Sequence, residues 1–143
     1  MSEVAVGLDS VVTASEIVEY QKRCGSTGWG VGTVEMWDSC IQQSLCIASG
    51  RDKGELVALG FLIGNVRHAE PVDVSVLPEY RNQDLGRQIM RSLMDHAIAL
   101  NIAYVNLIHD PAKPWLADYY NKLGFHKIDF AMTHERSFNP QWP

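Results

Sequence analysis

The order of elements predicts an α+β domain with a mixed central β-sheet flanked by about four helices, and three features carry that expectation. Val72, Val74 and Val76 alternate with Asp73 and Ser75, the period of two that marks a strand. Leu85, Ile89, Leu93, Ala97 and Leu100 recur at helical spacing, with Met90, Met94 and Ile98 widening the apolar stripe and Arg87, Arg91 and Asp95 on the polar face. Two apolar runs, 45–49 and 55–64, flank Arg51-Asp52-Lys53-Gly54, which reads as a hairpin turn.

The remaining elements follow in order. Residues 4–8 form a short first strand. Thr13 is an N-cap for a helix opening at Ser15, with Glu16 three residues on as in a capping box. A glycine-rich loop, 25–32, surrounds Trp29, and 34–43 is a second helix with Met36 and Cys40 on one side. After the long helix, 103–108 is a buried type of strand. Asp110-Pro111 and Pro114 prepare a helix over 116–123, which Gly124 ends as a left-handed C′ residue. Residues 125–134 supply one or two last strands, and the tail 137–143 is loose or packs on a second copy, as in a homodimer. The order is βααβββαβαβ(β), within a single domain spanning 1–143 that shows no repeat and no linker.

Composition narrows the function. With 46% hydrophobic and 20% charged residues, the 143-residue chain is an ordinary globular domain able to bury a core. A net charge of −5 with no basic cluster argues against nucleic acid and suits a cationic amine. The longest strongly apolar run, 56–63, is too short to span a membrane, and no charged-then-apolar leader is present. Cys24, Cys40 and Cys46 lack CxxC spacing and fit reduced thiols, so a cytoplasmic protein is expected. His68, His96, His109, His126 and His134 show no metal-ligand spacing, so no metal is expected.

The most informative stretch is 72–87, a strand, a polar turn and the first turn of the long helix. Such a turn gathers unpaired N–H groups at the positive end of a helix dipole, a site that suits a phosphate. Arg81 and Arg87 add cationic side chains there.

The run LPEYRNQDLGRQIM at 77–90 resembles the acetyl-CoA motif [QR]-x-x-G-x-[GA] of the GNAT N-acetyltransferases, with Arg81 first and Gly86 last. Asp84 replaces the middle glycine. YYNKLGF at 119–125 resembles the family's FYxKLGF helix end, and Gly28-Trp29-Gly30 more weakly resembles the GWG element of one small bacterial GNAT branch. The element order is also the GNAT order.

The resemblance implies transfer of acetyl from acetyl-CoA to a primary amine, on a small molecule or a protein, by direct attack. By position, the strands 72–76 and 103–108 splay apart, and Val74 and Val76 hydrogen-bond the pantetheine arm through their backbone. Arg81, Asn82, Gln83, Asp84, Leu85, Gly86 and Arg87 then wrap the pyrophosphate. Asp84 brings a Cβ and a charge; a carboxylate about 6 Å from a phosphate charge costs roughly 3 kcal/mol at an effective dielectric of about 20. Arg81 and Arg87 offset part of this, and the Asp84 side chain is free to turn outward and cap the helix.

Transfer needs a neutral amine and a proton for the leaving thiolate. The family's acid, the tyrosine of FYxKLGF, falls on Tyr120, beside Tyr119. For the base, strand parity puts Glu70 on the face of Val72, Val74 and Val76 and Asp73 on the other. Family members carry a glutamate at the position of Glu70 or of Val72, which favours Glu70. A break at Pro71 would return Asp73 to contention, and ordered water is a third candidate. His109 is a candidate proton shuttle, and Trp29 lies in the segment that covers the acceptor. Asp84 keeps open a non-catalytic acyl-CoA-binding or regulatory module, and the aromatic tail 138–142 an interaction protein.

Overall fold

The computed structural model describes residues 3–109, 112–128 and 132, and divides into two compact units, 1–107 and 108–143. The first unit holds β1 (Val4–Leu8), β2 (Cys46–Asp52), β3 (Glu55–Gly64), β4 (His68–Val76) and β5 (Tyr104–Val105), joined in that order into one sheet. The first four strands pair antiparallel, and β5 joins β4 in parallel. Helices α1 (Ala14–Arg23), α2 (Val34–Gln43) and α3 (Leu85–Ala99) belong to the same unit, and α4 (Trp115–Asn121) to the second. The fold is therefore α+β, a mixed five-stranded sheet with four helices among the described residues. Residues 125–128 and 132 are not in a strand; the rest of 125–134 and the whole tail 137–143 lie outside the described residues.

Within the first unit, helices cover both faces of the sheet. A Cβ added at Gly60 would lie 2.6 Å from Ile89 and 3.2 Å from Leu93, so α3 presses on that face of β3. The next residue, Phe61, points the other way and stacks on Trp37 of α2 with ring centroids 5.6 Å apart. Leu59, Leu62, Val57, Ile17, Ile89 and Leu93 are wholly buried in this core. Each such side chain contributes about 1.5–3 kcal/mol of burial free energy.

Local chemistry sets the boundaries. Thr13 caps α1 by accepting the Glu16 N–H at 3.2 Å, and Thr33 caps α2 by accepting the Met36 N–H at 3.1 Å. The Glu16 carboxylate bonds back to the Thr13 backbone, as the capping box expects, and also takes a bidentate pair from Arg51 at 2.7 and 2.8 Å. The same guanidinium bonds Asp9 at 2.8 Å, and Asp9 also accepts from Ser49 at 2.6 Å. These charge-assisted bonds tie β1, α1 and β2 together. Arg51 and Asp52 thus belong to strand rather than turn, and the hairpin turns on Lys53 (φ 52°) and Gly54 (φ 84°) alone, the positive-φ pair of a two-residue loop.

β4 begins four residues before the expected strand and runs through Pro71, so Pro71 does not break it. Ala69 accepts the Asn106 N–H from the β5 side, which turns the backbone of residue 71 to that edge as well. Pro71 pairs with Leu62 at a position where a proline costs the β3–β4 ladder no hydrogen bond.

Candidate active site

One edge of β4 stands largely open. β5 meets it only at His68–Tyr104 and Ala69–Val105, plus the Asn106 N–H to Ala69 at 3.1 Å. From Glu70 to Val76, no strand among the described residues pairs with that edge. The expected strand 103–108 is thus confined to two residues, and its separation from β4 comes early.

A β-bulge then resets the strand. Phe61 pairs with Val72 and Leu59 with Ser75, so Gly60 faces both Asp73 and Val74. Asp73 takes up the extra residue in the left-handed region, at φ 52°. Val72, opposite Phe61, shares the α2 face, whereas Val74 reaches within 3.1 Å of a Cβ built at Gly60 and faces α3. Contrary to the parity expectation, Glu70 shares a face with Val72 but not with Val74 or Val76. The backbone follows the same switch. Leu77 donates its N–H to Val57 at 2.9 Å, toward β3, so Val76 and Val74 direct their own N–H and C=O groups to the open edge.

The strand leads into a short 3₁₀ turn, Pro78–Tyr80, and then into α3. Leu77 is fully buried, and Arg81 folds back so that Nε donates to the Val76 carbonyl at 3.3 Å. Asn82 and Asp84 both adopt positive φ, at 66° and 62°. Asp84 occupies the N-cap position of α3, but its side chain makes no capping hydrogen bond, which corrects the expected cap. Its backbone instead adopts a conformation that glycine reaches without strain and that aspartate tolerates better than most residues. The N–H groups of Leu85, Gly86 and Arg87 precede the first helical bond, from Gln88 to Asp84 at 3.1 Å. Together with exposed Arg81 and Arg87, they form a helix N-terminus able to receive an anion.

Two carboxylates stand on this part of β4, Glu70 on the face shared with α2 and Asp73 at the bulge. Burial pushes the half-buried Glu70 above the usual carboxylate range, and desolvation does the same for Asp73. Asp73 lies close enough to Cys40 of α2 to help raise its thiol, after desolvation. The bulge thus brings Asp73 toward the α2 side. Trp29 sits on a 3₁₀ turn, Gly28–Gly30, and is 77% exposed. Its loop is fastened by Trp37, whose Nε1 donates to the Val31 carbonyl at 2.7 Å.

The second unit carries Tyr120. α4 spans 115–121, ending two residues before the expected end. The chain then closes in a Schellman motif, with Phe125 N–H to Tyr120 O at 3.1 Å and Gly124 N–H to Asn121 O at 3.0 Å. Gly124, at φ 93°, is the expected C′ residue. Tyr120 is half-buried among Tyr119, Phe125 and His109, with ring centroids 5.2, 6.2 and 6.1 Å away, and burial raises its phenol above the ordinary range. His109 keeps Nδ1 buried without a hydrogen-bond partner among the described residues. No cluster of three or more His, Cys, Asp or Glu side chains there is arranged to hold a metal ion, and no described helix is long and apolar enough to cross a membrane.

A family model of the acetyltransferase (GNAT) domain matches residues 42–127, more than half of the chain. The chain belongs to the GNAT acetyltransferase family. Solved structures agree in fold. A probable acetyltransferase of meticillin-resistant Staphylococcus aureus is 25% identical, with a TM-score of 0.75 over 93% of this chain and 99% of that one. A GNAT-family acetyltransferase of Streptococcus pneumoniae is 18% identical, with a TM-score of 0.74 over 93% and 99%. AAC(6')-Iy is 10% identical, with a TM-score of 0.73 over 94% and 98%. No curated protein matches the sequence. In this GNAT acetyltransferase, Val74, Val76, Glu70, Trp29 and 81–87 lie in the first unit and Tyr120 in the second. Sequence reasoning missed the bulge at Asp73, whose one local sign is an aspartate inside a valine alternation. It also missed the bond from Tyr80 to Asp52 beneath the turn.

Proposed function

We propose that this GNAT acetyltransferase is a cytoplasmic, acetyl-CoA-dependent N-acetyltransferase that acts on a primary amine, with residues 1–143 forming one domain. The observation that carries the reading is the continuity of the open β4 edge with the uncapped turn at the head of α3. Val74 and Val76 offer backbone groups along that edge, as an added strand requires. Along 81–87, the N–H groups from Asn82 onward and the cationic side chains of Arg81 and Arg87 are offered to the pyrophosphate. Asp84 keeps the backbone path that a glycine would follow, which favours retained binding. The fold neighbour AAC(6')-Iy was solved with a bisubstrate analogue joining CoA to acetylneamine, so in that protein this fold holds CoA.

Acetyl-CoA supplies a thioester as acyl donor. Glu70 accepts the proton that the amine sheds, its raised affinity for protons bringing it nearer the amine. Tyr120 stays protonated at neutral pH and donates to the departing thiolate. Trp29 offers an aromatic face to the acceptor cation.

Thermal unfolding with acetyl-CoA tests the cofactor. Ligand at a hundred times its dissociation constant stabilises by about 2.7 kcal/mol, a clear rise in Tm. A panel of amines, followed by release of free thiol, tests turnover. Binding without turnover on any amine would favour an acyl-CoA sensor, and neither would favour an interaction module.

A further inference from the structure

The turn at the head of α3 holds an unfavourable shape. Two of its residues, Asn82 and Asp84, stand at positive φ. Residues other than glycine hold that conformation where the surroundings over-determine it. Downstream, the anchor is α3, through buried Leu85 and the Gln88 bond to Asp84. Upstream, Leu77 is buried and bonded to Val57, and Tyr80 and Arg81 donate their N–H groups back to Leu77 and Pro78 at 2.9 and 3.3 Å. One side-chain bond reaches further: the Tyr80 hydroxyl donates to Oδ2 of Asp52, the last residue of β2. Asp52 is itself fixed by pairing with Val4 of β1 and Glu55 of β3. Its other oxygen, Oδ1, is buried without a partner among the described residues. A carboxylate so withdrawn from water holds the donor it has more firmly.

We propose that the Tyr80–Asp52 hydrogen bond is a positioning latch for the 81–84 turn, locking the backbone N–H groups of residues 82–84 in the arrangement that receives the pyrophosphate of acetyl-CoA. The inference rests on the reading of that turn as the pyrophosphate site. The rigid end of the β2–β3 hairpin serves as the fixed point, and the phenol carries its rigidity to the turn. Neither residue touches the reacting atoms, so the latch acts on cofactor affinity rather than on chemistry. Arg23, which bridges Glu55 and Glu79, supports the same corner from α1, but as an exposed ion pair it is screened by salt.

Steady-state kinetics on Tyr80→Phe, Asp52→Ala, the double variant and Asp52→Asn test the latch. Tyr80→Phe and Asp52→Ala should each raise the KM for acetyl-CoA roughly tenfold or more, the size of one lost hydrogen bond to a charged acceptor. The amine KM and kcat should stay within about twofold. The double variant should be no worse than either single one, because one bond is lost in all three. Asp52→Asn, whose amide oxygen still accepts from the phenol, should keep most of the affinity. Tyr80→Phe removes a single oxygen and decides the matter alone if Asp52→Ala does not fold. An unchanged acetyl-CoA KM in Tyr80→Phe, losses that multiply in the double variant, or a shift in amine KM instead would overturn the latch. Absence of acetyl-CoA binding by the wild-type protein in the thermal assay would overturn the pyrophosphate reading itself, and the latch with it.

Discussion

Val72 and Val74 stand two residues apart on β4 and face opposite sides of the sheet, because Asp73 between them takes up a bulge. Gly60 is the residue that allows it. A methyl group there would approach Ile89, Val74 and Leu93 at 2.6, 3.1 and 3.2 Å, and Ile89 and Leu93 are fully buried with nowhere to retreat. Gly60→Ala should therefore destabilise the protein by about 1–3 kcal/mol through overpacking. Urea unfolding reads this directly, and an unchanged midpoint would mean that the bulge can yield.

Asp84→Gly should improve two properties at once. It removes the strain of a side chain at φ 62°, about 1 kcal/mol, and it removes a negative charge from the proposed phosphate turn. Calorimetric titration should show tighter acetyl-CoA binding, and the free protein should melt higher. Higher Tm with unaltered affinity would place the phosphates elsewhere.

Tyr120→Phe should lower kcat by roughly 10²-fold while leaving acetyl-CoA affinity and fold stability nearly unchanged, since the ring keeps its packing against Phe125 and His109. Tyr119→Phe should retain most of the rate. A reversal of the two results would move the acid by one position on α4, and two active variants would assign protonation of the thiolate to water.

The two carboxylates of β4 separate by pH. Glu70→Gln should depress the rate most at low pH, where the amine is protonated and most needs a base, and the deficit should shrink as pH rises. Because burial raises the Glu70 carboxyl, the wild-type acid limb should fall above the ordinary glutamate range. Asp73→Asn is the comparison. If it, and not Glu70→Gln, abolishes the acid limb, the base sits on the bulge.

Arg51 governs acid stability. Burial alone would lift Asp9, but its bonds to Ser49, Val11 and Arg51 outweigh that and hold its carboxyl below the usual range; the Arg51 bonds likewise hold Glu16 down. A lowered folded pKa means that the native state binds fewer protons, so the network stabilises fully above about pH 4–5 and fades as pH falls through the lowered values. Arg51→Met leaves the buried Asp9 unpaired and should cost roughly 2–4 kcal/mol at pH 7. That gap should narrow toward pH 3 in parallel denaturant titrations. A gap independent of pH would show that packing of the arginine stem, not its charge, holds β1 to α1.

Much of this architecture is legible along the chain because it is written locally. The helix stripe from Leu85, the threonine cap at Thr13, and the C′ glycine after Lys122-Leu123 each depend on neighbours within a few residues. Glu16 shows the limit. Its place in a capping box is readable and its carboxylate does bond the Thr13 backbone, yet the bidentate pair with Arg51, distant in sequence, is not. Pro71 misleads for a related reason, since its tolerance depends on which edge of β4 is unpaired. The reversal at Asp73 is unreadable by parity, because an alternation holds only while every residue has one opposite. For the proposed site, the turn and its arginines stand in one contiguous run, whereas the bond beneath them joins residues 28 positions apart.

The brevity of β5 gives neighbouring residues of β4 different clocks. Amides turned toward β3 exchange their hydrogen with solvent only when the sheet opens, whereas those of Val74 and Val76 face an edge that no described strand covers and exchange without that opening. Any molecule that lies along this edge as an added strand must slow these two amides while leaving Ser75 between them unchanged. The half-finished ladder is thus a gauge of its own occupancy, readable residue by residue and independent of whether any bond is made or broken in the bound molecule.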